Sequence, residues 1–471
     1  MRNLVTYILS LVGFLGISQN KQILYGFDDI PQTLMLNPGS QVRQKQHYGI
    51  PLLSQIHFNA GSSGVSAYDI FKEGNDDIND RITKKLFEMK NTDFFTATQQ
   101  LELINFGWRA RNGIYFSGGI YQEFDFIAYF PKDLAILAWE GNKEYLDYPF
   151  DLGEISTTGD FMTVYHFGVN KQIDKKLTLG ARLKLYSSMF SYRSVNNSGT
   201  FVTRLGTEDS ENIYEHIVQE ADIHVQTSGY APLRELDGAS AVTNEILGRA
   251  FFGGNFGVGV DVGFTYAINE AWTLSASALD VGAIFHSKDV ENYRAHGTYT
   301  LNGINLIFPP LSEGESTLPY YDNLEDEVER EIPIDTLHNA YTQFRPVKVN
   351  AGLGFGFGRF NASGDCDCLN MDGGTLHKQN IGLQFFAIFR PKGPQMAGTL
   401  FYHRRLTDYL SAKATYTVDS YSFSNIGLGV AADLGKFNFY LAADNLVRYG
   451  NLAKAKSVSL QLGFNIIIDE E

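Results

Sequence analysis

Residues 347–358 read VKVNAGLGFGFG, and the alternation in this stretch decides the fold. Val347, Val349, Ala351, Leu353, Phe355 and Phe357 take one set of positions. Lys348, Asn350, Gly352, Gly354, Gly356 and Gly358 take the other. Side chains on a strand point to opposite faces in turn, so this is a strand with one apolar face and one small, polar face. Lipid cannot hydrogen-bond, and an apolar face of this length suits it.

The pattern recurs on both sides. Period-two segments fall at 47–59, 97–111, 114–129, 155–173, 177–205, 254–268 and 271–287. They continue at 346–358, 378–390, 396–406, 409–419, 422–434, 437–447 and 455–467, which makes fourteen. One misplaced strand would shift this number to twelve or sixteen. The sixth segment sets Phe256, Val258, Val260 and Val262 against Asn255, Gly257, Gly259 and Asp261. The last sets Leu460, Leu462 and Phe464 against Ser459, Gln461 and Gly463. The connections alternate too. Exits after even strands are tight: Asn112-Gly113, 174–176, Asn269-Glu270, Thr407-Asp408 and Gly435-Lys436. Long excursions at 60–96, 130–154, 206–253 and 288–345 follow odd strands. The eighth exit, 359–377, is an exception, and the later odd exits are short. This parity predicts an all-β, transmembrane antiparallel β-barrel of about fourteen strands with both termini in the periplasm. A soluble β-sandwich shows the same alternation around a shared core. Strands of twelve or more residues and loops of unequal length on two sides favour the barrel.

The ends of the chain agree. Arg2 precedes an apolar run over 4–17, with Gly16 and Ser18 at its end. That is the form of a signal peptide, residues 1–18, cut after Ser18. The alternative is a retained helix, for which the run is short. No later segment has eighteen consecutive apolar residues. The predicted domains are the signal peptide, a periplasmic or plug segment over 19–45, and the barrel over 46–471. A formal net charge of -15 argues against nucleic-acid binding by phosphate neutralisation.

The opening after the signal, Leu36-Asn37-Pro38-Gly39-Ser40, resembles the "LNPA" start of Bacteroidetes outer-membrane barrels. Ala278-Leu279-Asp280-Val281-Gly282 and Ala443-Asp444-Asn445-Leu446 are similar to strand ends of that group. The group includes the PorP/SprF and PorV proteins of type IX secretion and, more remotely, FadL-like transporters. Gly39 departs from the usual alanine, and the chain ends in Ile466 to Glu471 rather than in an aromatic residue. The resemblance implies a barrel of about fourteen strands and no catalytic residues.

Little else points to chemistry. Cys366 and Cys368, in the eighth exit, are readable as a strained local disulfide, as free thiols, or as a redox or metal pair. His377 is the only nearby histidine, too few ligands for zinc. Gly352 to Gly356 mimics a nucleotide loop, but the strand runs straight through it. His166 and His403 sit on strands as lumen residues rather than as bases, and there is no GxSxG elbow. The acidic run over 322–331 reads as a solvated loop helix rather than a calcium cage. Loop helices are also expected over 76–90, through Ile78, Ile82, Leu86 and Phe87, and over 131–145, through Leu134, Leu137 and Ala138. Arg182, Lys184, Asp261, Lys348, Asp433 and Asp444 fall on polar faces and are expected in the lumen. Mixed signs and many glycines predict a filled interior, with residues 19–45 as the plug. No enzyme activity, cofactor or metal is expected. The leading expectation is an outer-membrane accessory or anchor for type IX secretion, gliding or surface-protein display. Its partners are membrane lipid and a secreted or surface-anchored protein. A FadL-like transporter of a hydrophobic small molecule is the alternative, and a lipid-modifying enzyme the third.

Overall fold

The computed structural model describes residues 21–206, 213–234, 236, 238–301, 329–359 and 377–468. Residues 1–18, expected from the sequence to be a signal peptide, lie outside them.

The wall strands are β1 (Gln46–Gly49 and Ile56–Ser62), β2 (Phe94–Arg109), β3 (Tyr115–Tyr129), β4 (Thr157–Gln172) and β5 (Leu177–Ser194). They continue with β6 (Asn255–Ala267), β7 (Trp272–His286), β8 (Tyr341–Phe344 and Lys348–Arg359), β9 (His377–Arg390) and β10 (Gly393–Thr407). The last four are β11 (Leu410–Asp419), β12 (Asn425–Leu434), β13 (Phe437–Ala443) and β14 (Ser457–Ile468). Each strand pairs antiparallel with the next. β14 then pairs with both pieces of β1, and the sheet closes. The chain is therefore an all-β, closed, fourteen-stranded antiparallel barrel.

Burial separates barrel from sandwich. In β6 the apolar residues are the exposed ones: Phe256, Val258, Val260 and Val262 face out, while Asn255, Gly257, Gly259 and Asp261 are buried. A sandwich would reverse this. Leu179 and Leu183 likewise stand outside while Arg182 and Lys184 are buried. The wall strands pair in succession into a ring with no free edge, the arrangement a lipid-spanning sheet needs. Among the described residues no helix is long and apolar enough to cross a membrane. Aromatic rings gird the short-turn end. Trp108 lies 5.3 Å from Phe116, Phe116 5.9 Å from Phe167, Trp272 5.1 Å from Phe355 and Phe439 4.8 Å from Phe464. Such girdles mark the interfaces of outer-membrane barrels.

The tight turns are built as their sequences require. Gly113 and Gly435 take positive φ of 79° and 66°. Asp174 Oδ1 accepts from the Lys176 and Leu177 amides, and Asn269 Oδ1 from those of Ala271 and Trp272. The long-loop end carries a cap. α1 (Ala67–Phe71), α2 (Ile78–Glu88) and α3 (Lys132–Glu140) come from the first two long loops. α4 (Tyr230–Arg234) and α5 (Ala239–Ala250) come from the third. Leu86 of α2 and Ile136 of α3 meet around Phe150. The expected inward set was different: Ile78, Phe87 and Ala138 are exposed.

Two strand assignments change. The segment 177–205 is not one strand, because Asn196 takes φ 51° and the chain turns back. Ser198–Leu205 then joins Tyr214–Ser228, Asn292–Leu301 and Ile334–Leu337 in a cap sheet that grows from the top of β5. The segment 47–59 is broken. Gly49 pairs with Asn465 and Ile56 with Leu462, so residues 50–55 face only Gly463 and Phe464. Pro51 has no amide to give the ladder. The excess chain bulges outward through Leu52, at φ 65°, and Leu53. Phe464 bridges it, accepting from the Ile50 amide at 3.1 Å and donating to the Leu53 carbonyl at 2.9 Å.

Candidate functional site

The lumen is the candidate site, and the chain's own N-terminal segment fills it. Residues 21–40 are almost wholly buried inside the wall. A short 3-10 helix, Pro31–Met35, has all five residues buried. Ile23, Leu24, Tyr25, Phe27 and Ile30 form an apolar cluster with Tyr440, Ala431 and Leu279 of the wall.

Docking is closest at Asn37-Pro38-Gly39. A Cβ on Gly180 of β5 would overlap the Pro38 carbonyl, and one on Gly39 would overlap the backbone of Gly263 and Phe264 on β6. Backbone meets backbone there, which only glycine allows. The departure from alanine at position 39 thus has a steric cause in this chain. Polar groups complete the dock. Asn170 Nδ2 donates to the Pro38 and Ser40 carbonyls at 2.7 and 2.8 Å. Asn37 Nδ2 donates to the Phe264 carbonyl at 3.1 Å, and Ser277 Oγ to the Leu36 carbonyl at 2.5 Å. Arg182 reaches the Leu34 and Met35 carbonyls. On the opposite wall Ile23 presses on Gly427 and Gly429. Lower down, Asp29 is held by Arg43 at 2.9 Å, Arg405 at 2.9 Å and His403 at 3.1 Å. Gln32 Nε2 donates to Glu102 at 3.2 Å and to Asn465 at 2.8 Å, behind the bulge of β1.

Beside the plug runs a chain of buried ion pairs. Asp261 lies 3.2 Å from Arg182 and 2.9 Å from Lys184. Lys184 is 2.6 Å from Asp280, which is 2.8 Å from Lys348. Lys348 is 3.6 Å from Glu123, and Glu123 2.5 Å from Arg345. Arg345 is 3.6 Å from Asp160, and Arg390 grips Asp125 with two bonds of 2.6 and 2.7 Å. Each carboxylate thus has a cation, as buried charge requires. The network ties β3 through β9 across the lumen.

On the long-loop side of the plug a chamber of about 110 Å³ remains. Lys21, Met35 and Leu36 of the plug line one side; Glu123, Lys348, Arg390 and Phe386 line others, and it reaches up to Asp419 and Tyr421. Its lining mixes fixed charge with apolar surface. Among the described residues no group of three metal-ligating side chains comes together.

Of the six lumen residues expected from sequence, Arg182, Lys184, Asp261 and Lys348 come together in the ion-pair chain. Asp444 is buried across the barrel, beside Gly427. Asp433 sits near the short-turn end, accepting from Asn438 at 2.7 Å. Cys366 and Cys368 lie outside the described residues, as does the acidic run as far as position 328. His403 contacts the plug, and His166 is buried beside Tyr121. In the glycine-rich stretch only Gly352 meets the plug, at Tyr25. Gly354 and Gly356 make room for Asn380 and His377 of β9. Asp280, Glu123, Arg345, Asp160, Asp125 and Arg390 were not expected there. Asp280 escapes a parity reading because it sits in a bulge. Leu279 and Asp280 both face Asp261, and Asp280 takes φ 59°. An aspartate tolerates that left-handed backbone, so its place in Ala-Leu-Asp-Val-Gly was the available signal.

The model of a family described as a family of unknown function, DUF5723, matches residues 38–444. Among curated proteins none matches. Among solved structures, the toluene transporter TbuX of Ralstonia pickettii is 11% identical, with 95% of this chain and 99% of that one covered and a TM-score of 0.42. The P. putida toluene transporter TodX is 9% identical, with 95% and 100% covered and a TM-score of 0.41. A Pseudomonas aeruginosa FadL homologue is 9% identical, with 96% and 95% covered and a TM-score of 0.41.

Proposed function

The chain belongs to the family of unknown function DUF5723, and from its plug and cap we propose that it acts in the outer membrane as a non-enzymatic, plugged barrel that holds a protein partner at the cell surface. Type IX secretion, gliding or surface-protein display, in the manner of the PorP/SprF and PorV group, is the setting this reading takes. The observation that carries it is the dock at Asn37-Pro38-Gly39. The plug meets the wall backbone to backbone and is tied by Asn170, Asn37, Ser277 and Arg182. An interior locked in this way leaves the cap as the surface for recognition.

Transport of a hydrophobic small molecule is the second reading. The apolar side of the chamber, at Met35, Leu36, Leu279 and Phe386, favours it. The charged side, at Glu123, Lys348 and Arg390, opposes it. Purification from native outer membranes in mild detergent, with mass spectrometry of bound proteins and lipids, separates the two. A stoichiometric surface protein is the expected result. A bound fatty acid or terpenoid with no protein would replace the first reading by the second.

A further inference from the structure

The loop between β5 and β6 doubles back onto the outside of the wall. α5 ends against outward-facing side chains of β4 and β5. Ser187 Oγ donates to the Arg249 carbonyl at 2.9 Å, and the Tyr165 hydroxyl to the Ala250 carbonyl at 3.1 Å. Ser187 shares its face with exposed Leu183, and Tyr165 shares its face with exposed Phe167 and Val169. The Arg249 side chain is buried and fixes the junction. It donates to the Gly229 carbonyl at 2.8 Å and to Glu245 at 2.8 Å.

The segment after the helix has an unusual backbone. Phe252 takes φ 63°, the left-handed conformation in which helices commonly stop on glycine. Bulky residues rarely adopt it. Gly253 and Gly254 come next, yet the phenylalanine occupies the turn. Its ring stacks on Tyr165, with centroids 4.2 Å apart and planes at 14°. Phe251 and Leu247 beside it are 61% and 51% exposed. The patch runs into Phe256, the first outward residue of β6, which is 49% exposed. It is therefore continuous with the apolar band of the wall.

Height fixes the occupant. Ser187 is ten residues above Leu177, the start of β5 at the short-turn end. A strand rising about 3.3 Å per residue and tilted by about 40° climbs about 25 Å in that length, the height of the apolar band of such barrels. The patch thus stands at the far boundary of the bilayer, where an aromatic ring has an apolar body and a polar rim to meet.

We propose that Leu247, Phe251 and Phe252, at the end of α5, form an interfacial anchor seated in the outer leaflet, with lipid as its partner. The anchor holds the third loop against the barrel and fixes the tilt of the cap over the membrane. It rests on the membrane reading above, and the test separates the two. In vesicles whose acyl chains carry bromine, Trp108 and Trp272 of the unsubstituted chain should be quenched, because they stand on the outer wall. If they are not, the membrane reading fails. With Trp108, Trp139 and Trp272 changed to Phe, a Phe251→Trp probe should be quenched by the same lipids and spared by aqueous iodide. Quenching by iodide alone would overturn the anchor and leave the patch to a protein partner. Adding Phe252→Gly gives the turn the residue it favours, so folding is retained. Quenching at position 251 should then fall at least twofold, and unchanged quenching would count against the stacked ring as part of the anchor. Oxidative footprinting of the unsubstituted chain in vesicles decides the matter if the tryptophan variants do not fold. Phe251 and Phe252 should be protected, and modification at the level of Phe71, an exposed cap residue, would overturn the proposal.

Discussion

At the scale of single residues, the plug is held by atoms that are missing as much as by atoms that are present. Gly180 is one such place, since any side chain there meets the Pro38 carbonyl. Gly180→Ala should dislodge residues 36–40 or strain the wall, at about 1–3 kcal/mol, the usual cost of overpacking. Gly398 has nothing within 4 Å of an added Cβ, so Gly398→Ala should be near neutral. Unfolding of both variants in lipid vesicles by urea checks the contrast, and equal midpoints would refute it. Asp280 is the second place. It holds Lys184 at 2.6 Å and Lys348 at 2.8 Å, both buried or nearly so. Removing one member of a buried pair strands its partner, at about 3–5 kcal/mol. Asp280→Ala should therefore cost far more than Asp222→Ala, whose Arg294 partner is solvated on the cap. A loss below about 1 kcal/mol at Asp280 would mean that water reaches the lysines.

At the scale of elements, the plug segment is the one whose removal is most informative. Without residues 21–44 the wall keeps its ladder, since none of its pairings involves them. The lumen loses the cluster around Tyr25 and Phe27. A chain lacking 21–44 should insert and conduct ions in planar bilayers, while the full chain should be closed or nearly so. Equal conductance would show that the plug does not seal. The wall strands were legible because their two faces differ in chemistry, although the alternation of short and long exits held only as far as the seventh strand. The cap strands were not. Tyr214–Ser228 is mostly half-buried on both faces, so it has no contrast to read. The break in β1 escaped because residues either side of Pro51 continue an apolar alternation. The ion-pair chain was half legible. Arg182, Lys184, Asp261 and Lys348 lie on regular polar faces, whereas Asp280 is turned inward by a bulge. Asp125 and Arg390 meet across 265 residues of sequence, a distance that no local pattern spans.

For the whole molecule, parity makes a topological claim. The turns at 110–114, 173–176 and 268–271 share one end with the start of β1, and α2, α3 and the cap sheet share the other. Epitopes inserted at Asn112-Gly113 should be hidden in intact cells, and epitopes at Gly141-Asn142, after α3, should be stained. Staining at both sites would invert or abolish the barrel reading. The same arrangement has a consequence for how the barrel forms. Its seam joins the first strand to the last, residues 46–62 to 457–468, so closure must bring together parts of the chain about as far apart as it allows. Contacts of such separation form late, because their loop entropy is spent before they return anything. The seam is also divided. The outward loop at Pro51 splits it into a zip of four residue pairs and another of six. Each half is short enough to fray without the other. Hydrogen exchange along β1 and β14 should therefore outpace exchange along β3 and β4, which share fourteen consecutive pairs. The bulge that lets Gln32 and Glu102 meet behind the wall thus also sets the line along which the cylinder closes last and parts first.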